Sequence, residues 1–178
     1  MTFSLVNSRA LYGMDAPLVE VETHLANGLP AFNIVGLPDT EVKESRDRVR
    51  AAIIQSGFDF PAKKITVNLA PADLPKESGR FDLPIAVGIL AASGQVAADK
   101  LDGYEFAGEL ALSGLLRPVR GALAMAWQGM RAERAFVLPA ENAAQAAALK
   151  GVGAFGAVSL GQVAAHLNGI EMLPPAES

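Results

Sequence analysis

Between Phe81 and Ala92 the chain runs Phe-Asp-Leu-Pro-Ile-Ala-Val-Gly-Ile-Leu-Ala-Ala, with Asp82 its only polar side chain. A segment apolar nearly all round has to be covered nearly all round, so the rest of the chain must be built over it. Periodicity alone leaves buried helix and buried strand open. Asp82 as an N-cap and Pro84 in the first turn select helix, and Ala86, Gly88, Ala91 and Ala92 are small enough to let it lie close on a sheet. The remaining sequence can supply that cover. The chain has 178 residues, 51% hydrophobic and 19% charged, with a mean hydropathy of +0.26. A chain of this length buries roughly 70% of its unfolded surface, so one domain or two small ones can fold without staples. Zero cysteines exclude disulfides, thiolate metal sites and cysteine nucleophiles.

The order of elements predicts an α/β (α+β) fold, a mixed sheet packed with helices. Val19, Val21 and Thr23 alternate with Glu20, Glu22 and His24, the period of a strand with one wet face, which puts His24 in solvent. Asn27-Gly28 gives a turn and Phe32–Val35 a second strand, so a hairpin is the simplest reading. Asp39-Thr40-Glu41 opens a helix to Ser56-Gly57, with Val42, Val49, Ala52 and Ile53 inward and Glu44 and Arg48 at i,i+4 on the wet face. Ile65–Leu69 reads as a strand and 70–80 as a loop. In the second half, Tyr104–Leu110 and Leu115–Val119 read as paired strands around Ser113-Gly114. Helices follow at Ala122–Met130, Ala143–Leu149 and Leu160–Leu167, with strands at Ala135–Leu138 and near Phe155. The domain is expected over 1–170, with 171–178 beginning a linker.

Catalytic motifs are missing. Gly151-Val-Gly-Ala-Phe-Gly156 lacks the lysine and Ser/Thr of a phosphate-binding loop and lies between a helix and a strand, the wrong place for a dinucleotide fingerprint. His24 and His166 are too few for a metal site. No basic-then-apolar leader and no apolar run of about 20 residues occurs, so a soluble cytoplasmic protein is expected and no membrane partner. With 15 Lys+Arg against 19 Asp+Glu, net charge -4, bulk charge cannot hold nucleic acid, though a local basic patch can. The loop before the buried helix carries Lys76, Glu77, Ser78 and Arg80, compatible with an anion site, with a Ser–Lys nucleophile, or with plain solvent exposure.

Four blocks carry a resemblance: Gly28–Phe32, Val35–Asp39, Val42–Arg50 and, above all, Val67–Ala86. With Gly108–Gly114 and Leu138–Asn142 they resemble the N-terminal domain of the ComM/YifB family, the magnesium-chelatase-like AAA+ ATPases, over essentially the whole chain. The resemblance implies a Lon-protease-like domain of the ribosomal-protein/GHMP-kinase superfold, similar also to the C-terminal domain of RadA. It further implies a following AAA+ module that holds ATP and magnesium, leaving no cofactor and no metal for this domain.

Lon-like proteases use a Ser–Lys dyad. Matching Pro75–Asp82 and Gly108–Leu123 to the two runs that carry it puts Arg80 at the nucleophile position and Leu123 at the general-base position. An arginine cannot attack a carbonyl and a leucine cannot take the proton, so the resemblance implies a noncatalytic domain. GHMP-type phosphate binding needs a Gly/Ser-rich loop where only Gly79 is found. The expected role is ring assembly and DNA contact in a hexameric ATPase that promotes branch migration during natural transformation. Candidate phosphate contacts are Lys63, Lys64, Lys76 and Arg80 around one strand–loop–helix unit, and Arg117 and Arg120 in the neighbouring loop. The alternatives are a protein-interaction module, a residual peptidase using Ser78 or Ser113, and a role in magnesium insertion.

Overall fold

The computed structural model describes residues 2–13, 15–76 and 79–177. It is mixed α/β. A seven-stranded sheet is formed by β1 (Phe3–Arg9), β2 (Leu18–Ala26), β3 (Ala31–Val35), β4 (Lys64–Ala70), β5 (Tyr104–Phe106), β8 (Ala135–Pro139) and β9 (Ala154–Ala157), in the order β3-β4-β2-β1-β5-β8-β9. A separate two-stranded ribbon joins β6 (Glu109–Leu110) to β7 (Leu116–Arg117). The helices are α1 (Asp39–Gln55), α2 (Asp82–Ala92), α3 (Ala122–Arg131), α4 (Ala140–Ala146) and α5 (Leu160–Leu167). Of the sheet pairings, β1/β2 and β2/β4 are antiparallel and the other four parallel.

Every residue of α2 is buried, as its composition demands. It lies on β1 and β2, and Gly88 is where it touches: a Cβ there would stand 2.7 Å from Thr23 Oγ1, and the Gly88 carbonyl accepts from Ser4 Oγ at 2.7 Å. The alternation on β8 shows how the layers divide. Val137 joins the core that holds α1, α2 and α5, whereas Phe136 and Leu138 join a second core under α3 and α4. Around β2 and β4 the second face is wet, with Glu20, His24 and Lys64 exposed.

Pairing departs from the expected hairpin. β4 lies between β2 and β3, and β3 runs parallel to β4 after the α1 crossover. The alternating pattern placed each strand's faces correctly but carried no information on its neighbour. β1, a central strand, has no place in the sequence reading because Ser4, Asn7, Ser8 and Arg9 are polar and yet buried. Each of three has a partner inside: Ser4 the Gly88 carbonyl, Ser8 the Phe106 carbonyl, Arg9 the Glu105 carboxylate. The first strand of the second half stops at Phe106, where Ala107-Gly108 leaves the sheet for the ribbon, and α4 begins three residues earlier than its apolar pattern suggested.

The segment from 171 onward is docked rather than a free linker up to Ala176. Leu173 is 8% exposed, Ala176 N–H donates to the Ala154 carbonyl at 2.8 Å, and Pro175 bridges Phe155. His166, buried, accepts from Leu173 N–H through Nδ1 at 2.8 Å, so its proton sits on Nε2, 2.9 Å from Tyr104 Oη. Burial, and then Lys100, hold its pKa below the ordinary histidine value. No described helix is long and apolar enough to cross a membrane.

Gly36 ends β3 at φ +101°, and a Cβ there would lie 2.4 Å from the Leu69 carbonyl oxygen. Backbone cannot yield as a side chain tip can. Gly36→Ala is expected to cost about 2 kcal/mol or more, read as a lower urea midpoint with an unchanged slope.

Candidate functional site

The loop before α2, the β6–β7 ribbon and the start of α3 converge. Gly108 N–H donates to the Arg80 carbonyl at 2.9 Å, Leu83 N–H to the Gly108 carbonyl at 3.0 Å, and Leu110 N–H to Asp82 Oδ2 at 3.1 Å. These bonds zip the turn 79–83 onto the strand that leads into the ribbon. Arg80 then points inward: it is 1% exposed, and its Nη1 donates to the Arg120 carbonyl at 2.9 Å and lies 3.5 Å from Met125 Sδ of α3. The turn before α2 is thereby tied to the residues that open α3. Leu123, at the position aligned with the general base, is 47% exposed and looks outward.

Asp82 binds differently from the expected cap. No side-chain cap bond closes α2; instead the carboxylate accepts from Ser45 Oγ at 2.7 Å, Arg48 Nε at 2.6 Å, Arg48 Nη2 at 3.2 Å and Leu110 N–H. One acid thereby ties α1, α2 and β6 together. Burial pushes its pKa up to about 6, against the opposing pull of Arg48 and Ser45. Burial works against charge on Arg48 too, but Asp82 outweighs it and the guanidinium pKa is raised. At neutral pH we assign an ion pair, since four donors converge on the carboxylate. Arg48 keeps the i,i+4 contact to Glu44, at 3.8 Å, and stands 3.9 Å from Glu109. Its partnership with Asp82 went unread, although a lone acid at the head of an apolar helix is itself a signal that a cation must come to it.

The candidate phosphate contacts are split. Lys63 and Lys64 are exposed at the entry to β4, with Lys63 Nζ 2.6 Å from Asn27 Oδ1. Lys76 and Arg80 lie past the other end of that strand, about 20 Å away along it. The strand separates what adjacency in sequence had grouped. Lys76 is 4% exposed, donates to the Leu74 carbonyl at 3.0 Å, and has a pKa lowered by burial, partly offset by Asp73. Lys76 and Arg80 are corrected accordingly: each turns its charge to a protein carbonyl, because a buried cation needs an acceptor at hand, and neither offers it to a phosphate at the surface. Arg117 and Arg120 are exposed. Ser113 is exposed at the ribbon tip, where its Oγ accepts from Leu115 N–H at 3.4 Å, while Ser78 lies outside the described residues. Among the described residues no three His, Asp or Glu gather as a metal site.

Comparison with known proteins matches residues 21–142 to the family model of subunit ChlI of Mg-chelatase. The chain is 54% identical over 95% of its length to the uncharacterized protein YifB of Salmonella typhimurium, and 52% identical over the same share to YifB of Escherichia coli. It is 50% identical over 98% of its length to the competence protein ComM of Haemophilus influenzae. In each case it spans about a third of the relative, 33% for the two YifB proteins and 34% for ComM. The matched residues include the whole convergence of loop, ribbon and α3, and on that evidence the chain belongs to the ChlI, or magnesium-chelatase-like, family that also holds YifB and ComM.

Proposed function

We propose that this chain is a noncatalytic domain of a ComM-type hexameric AAA+ ATPase, in which it helps to assemble the ring and touches DNA during branch migration. The observation that carries the noncatalytic half is Arg80, a buried guanidinium bonded to the Arg120 carbonyl in the place where the resemblance sets a nucleophile. A protonated guanidinium held there has no lone pair to attack a carbonyl with. ATP and magnesium belong, on this reading, to a AAA+ module elsewhere in the longer protein, and the compartment is the cytoplasm.

Two surfaces support the binding half. Arg117 and Arg120 stand exposed beside the sealed junction and suit phosphate. The ribbon tip suits a protein neighbour: Leu112, Leu115 and Val158 are each at least 50% exposed, on segments 111–116 and 157–162 that carry no charge. Leu116 N–H donates to the Val158 carbonyl at 2.9 Å, which brings those segments together. The kinship with a competence protein is consistent with work on incoming DNA.

The test is branch migration by the longer protein. Arg117→Ala/Arg120→Ala is expected to slow it by tenfold or more while ATP hydrolysis without DNA stays at the parent rate. Undiminished migration would remove these arginines from the DNA path. Serine-dependent peptide hydrolysis, lost in Ser78→Ala or Ser113→Ala, would overturn the noncatalytic reading.

A further inference from the structure

β9 is the last strand in the sheet order, and the segment that follows α5 lies along its free edge as an added strand would. Pro175 bridges Phe155 in antiparallel fashion, and Ala176 N–H donates to the Ala154 carbonyl at 2.8 Å. Pro174 and Pro175 have no N–H to give, so the amides of Leu173 and Ala176 tie this segment down. The fit beneath it is loose. A cavity of about 210 Å³ lies between residues 171–174 and Gln162 and Ala165 of α5 and Gly156 of β9.

Leu173 is the tie that a proton can undo. Its N–H donates to Nδ1 of His166, a ring 2% exposed whose other nitrogen is 2.9 Å from Tyr104 Oη. A neutral imidazole has one acceptor nitrogen, and Leu173 uses it. A second proton has nowhere else to go. Two donors would then face each other across 2.8 Å, while the Tyr104 hydroxyl can accept from Nε2 in either state. The described groups around the ring favour its neutral form. Tyr104 and Phe155 pack their rings on it, and burial raises the Tyr104 pKa, which keeps the hydroxyl uncharged. Neither α5 nor β9 carries another titratable side chain, Lys100 in the turn before β5 is positive, and Glu171 is exposed.

We infer that residues 171–176 are a strap that covers the β9 edge in cis, and that His166 is its catch, closed while the ring is neutral and released when the ring gains a proton. Release frees the Ala154 carbonyl and the edge around Phe155, the kind of open edge to which a further strand adds. The inference needs neither DNA nor a ring of subunits and goes beyond the function proposed above. Its sign follows from burial and Lys100, which hold the His166 pKa below the ordinary value. The closed strap is therefore favoured above about pH 6.5 and loosens as pH falls below it, because the open form binds the proton better. Asp82 cannot produce this loss, since its raised pKa strengthens the fold as pH falls.

Amide hydrogen exchange on the chain at pH 7.5 and pH 5, expressed as protection relative to an unfolded peptide at the same pH, reads the strap residue by residue. Protection at Leu173 and Ala176 is expected to fall together by about tenfold or more at pH 5, while that at Val137 of β8 holds. Ala176 is bonded to Ala154 and not to His166, so its response separates a moving strap from one lost bond. His166→Asn keeps an acceptor oxygen near the place of Nδ1 and cannot titrate, so its strap is expected to stay closed at pH 5. His166→Phe keeps a ring with no acceptor, and its strap is expected to be open at both pH values. If His166→Phe also loses protection at Val137, its fold has failed and His166→Asn decides alone. Unchanged protection at Leu173 between the two pH values, or a fall there that Ala176 does not share, overturns the strap. An equal fall in His166→Asn overturns the catch, because the proton then belongs to another group.

Discussion

Glu105→Leu is expected to destabilise the fold by about 3–5 kcal/mol, a fall in Tm of roughly 10 °C or more for a chain of this size. Glu105 is fully buried on β5, and its carboxylate takes Arg9 Nε at 2.6 Å, Arg9 Nη2 at 2.9 Å and Arg134 Nη1 at 3.0 Å. Arg9 is 7% exposed. With the acid gone, its guanidinium keeps the carbonyls of Ala16 at 3.0 Å and Gln128 at 3.4 Å and little access to water. The loss measures a stranded cation rather than the worth of the pair, so Arg9→Met combined with Glu105→Leu should recover much of it. Chemical denaturation of the two variants checks both statements. A loss under about 1 kcal/mol for Glu105→Leu would show that Arg9 can swing to solvent.

The second large effect belongs to Arg48, and it should depend on pH. Asp82 has a folded-state pKa raised to about 6, above its unfolded value of about 3.9, so the folded state binds more protons in between. Its contribution is fully present below about pH 4 and is lost as pH rises through 6. Arg48→Met removes the counter-charge, which raises that pKa further and extends the loss to higher pH. The variant is expected to be about 3–5 kcal/mol less stable than the parent at pH 8, and distinctly closer to it at pH 5, where a protonated Asp82 can still bond Ser45. Asp82→Asn on the Arg48→Met background should flatten the dependence. A destabilisation equal at pH 5 and pH 8 would mean that Asp82 is not the group left uncompensated. Lysine at position 48 is expected to restore only part of the stability, since one ammonium cannot reproduce two bonds to the carboxylate.

These two clusters also mark where sequence reading stops. Elements with a repeating apolar face were legible, as was the wholly apolar α2: α1, β4, α2 and α5 fall within a residue or two of where the sequence placed them. Their neighbours were not, since a period of two says which way Val19 or Phe32 points and not which strand lies alongside. β1 shows the deeper reason. Ser4, Ser8 and Arg9 give no sign of burial until Gly88, Phe106 and Glu105, each more than 80 positions away, are brought beside them. Arg80 is the same case within the site. A charged loop residue suggested an anion contact, and only the approach of a loop 40 positions away shows its head on a carbonyl of the chain. Arg117 and Arg120 are exposed. Trp127 was legible as a tryptophan in a helix but not as an exposed one, because the face a helix buries is chosen by the sheet beneath it.

The chain thus buries Arg80 against the Arg120 carbonyl and leaves Arg117 and Arg120 exposed, the two proposed for DNA. The most direct measurement of that account is the salt dependence of DNA binding by this chain, followed by anisotropy with a labelled branched DNA that has single-stranded arms. Binding is expected at low salt, weakening linearly in log–log form. The Arg117→Ala/Arg120→Ala variant is expected to bind more weakly, with a slope reduced by about one to two. Binding that ignores salt, or is unchanged in the double variant, would contradict the account and leave the exposed arginines without a DNA role.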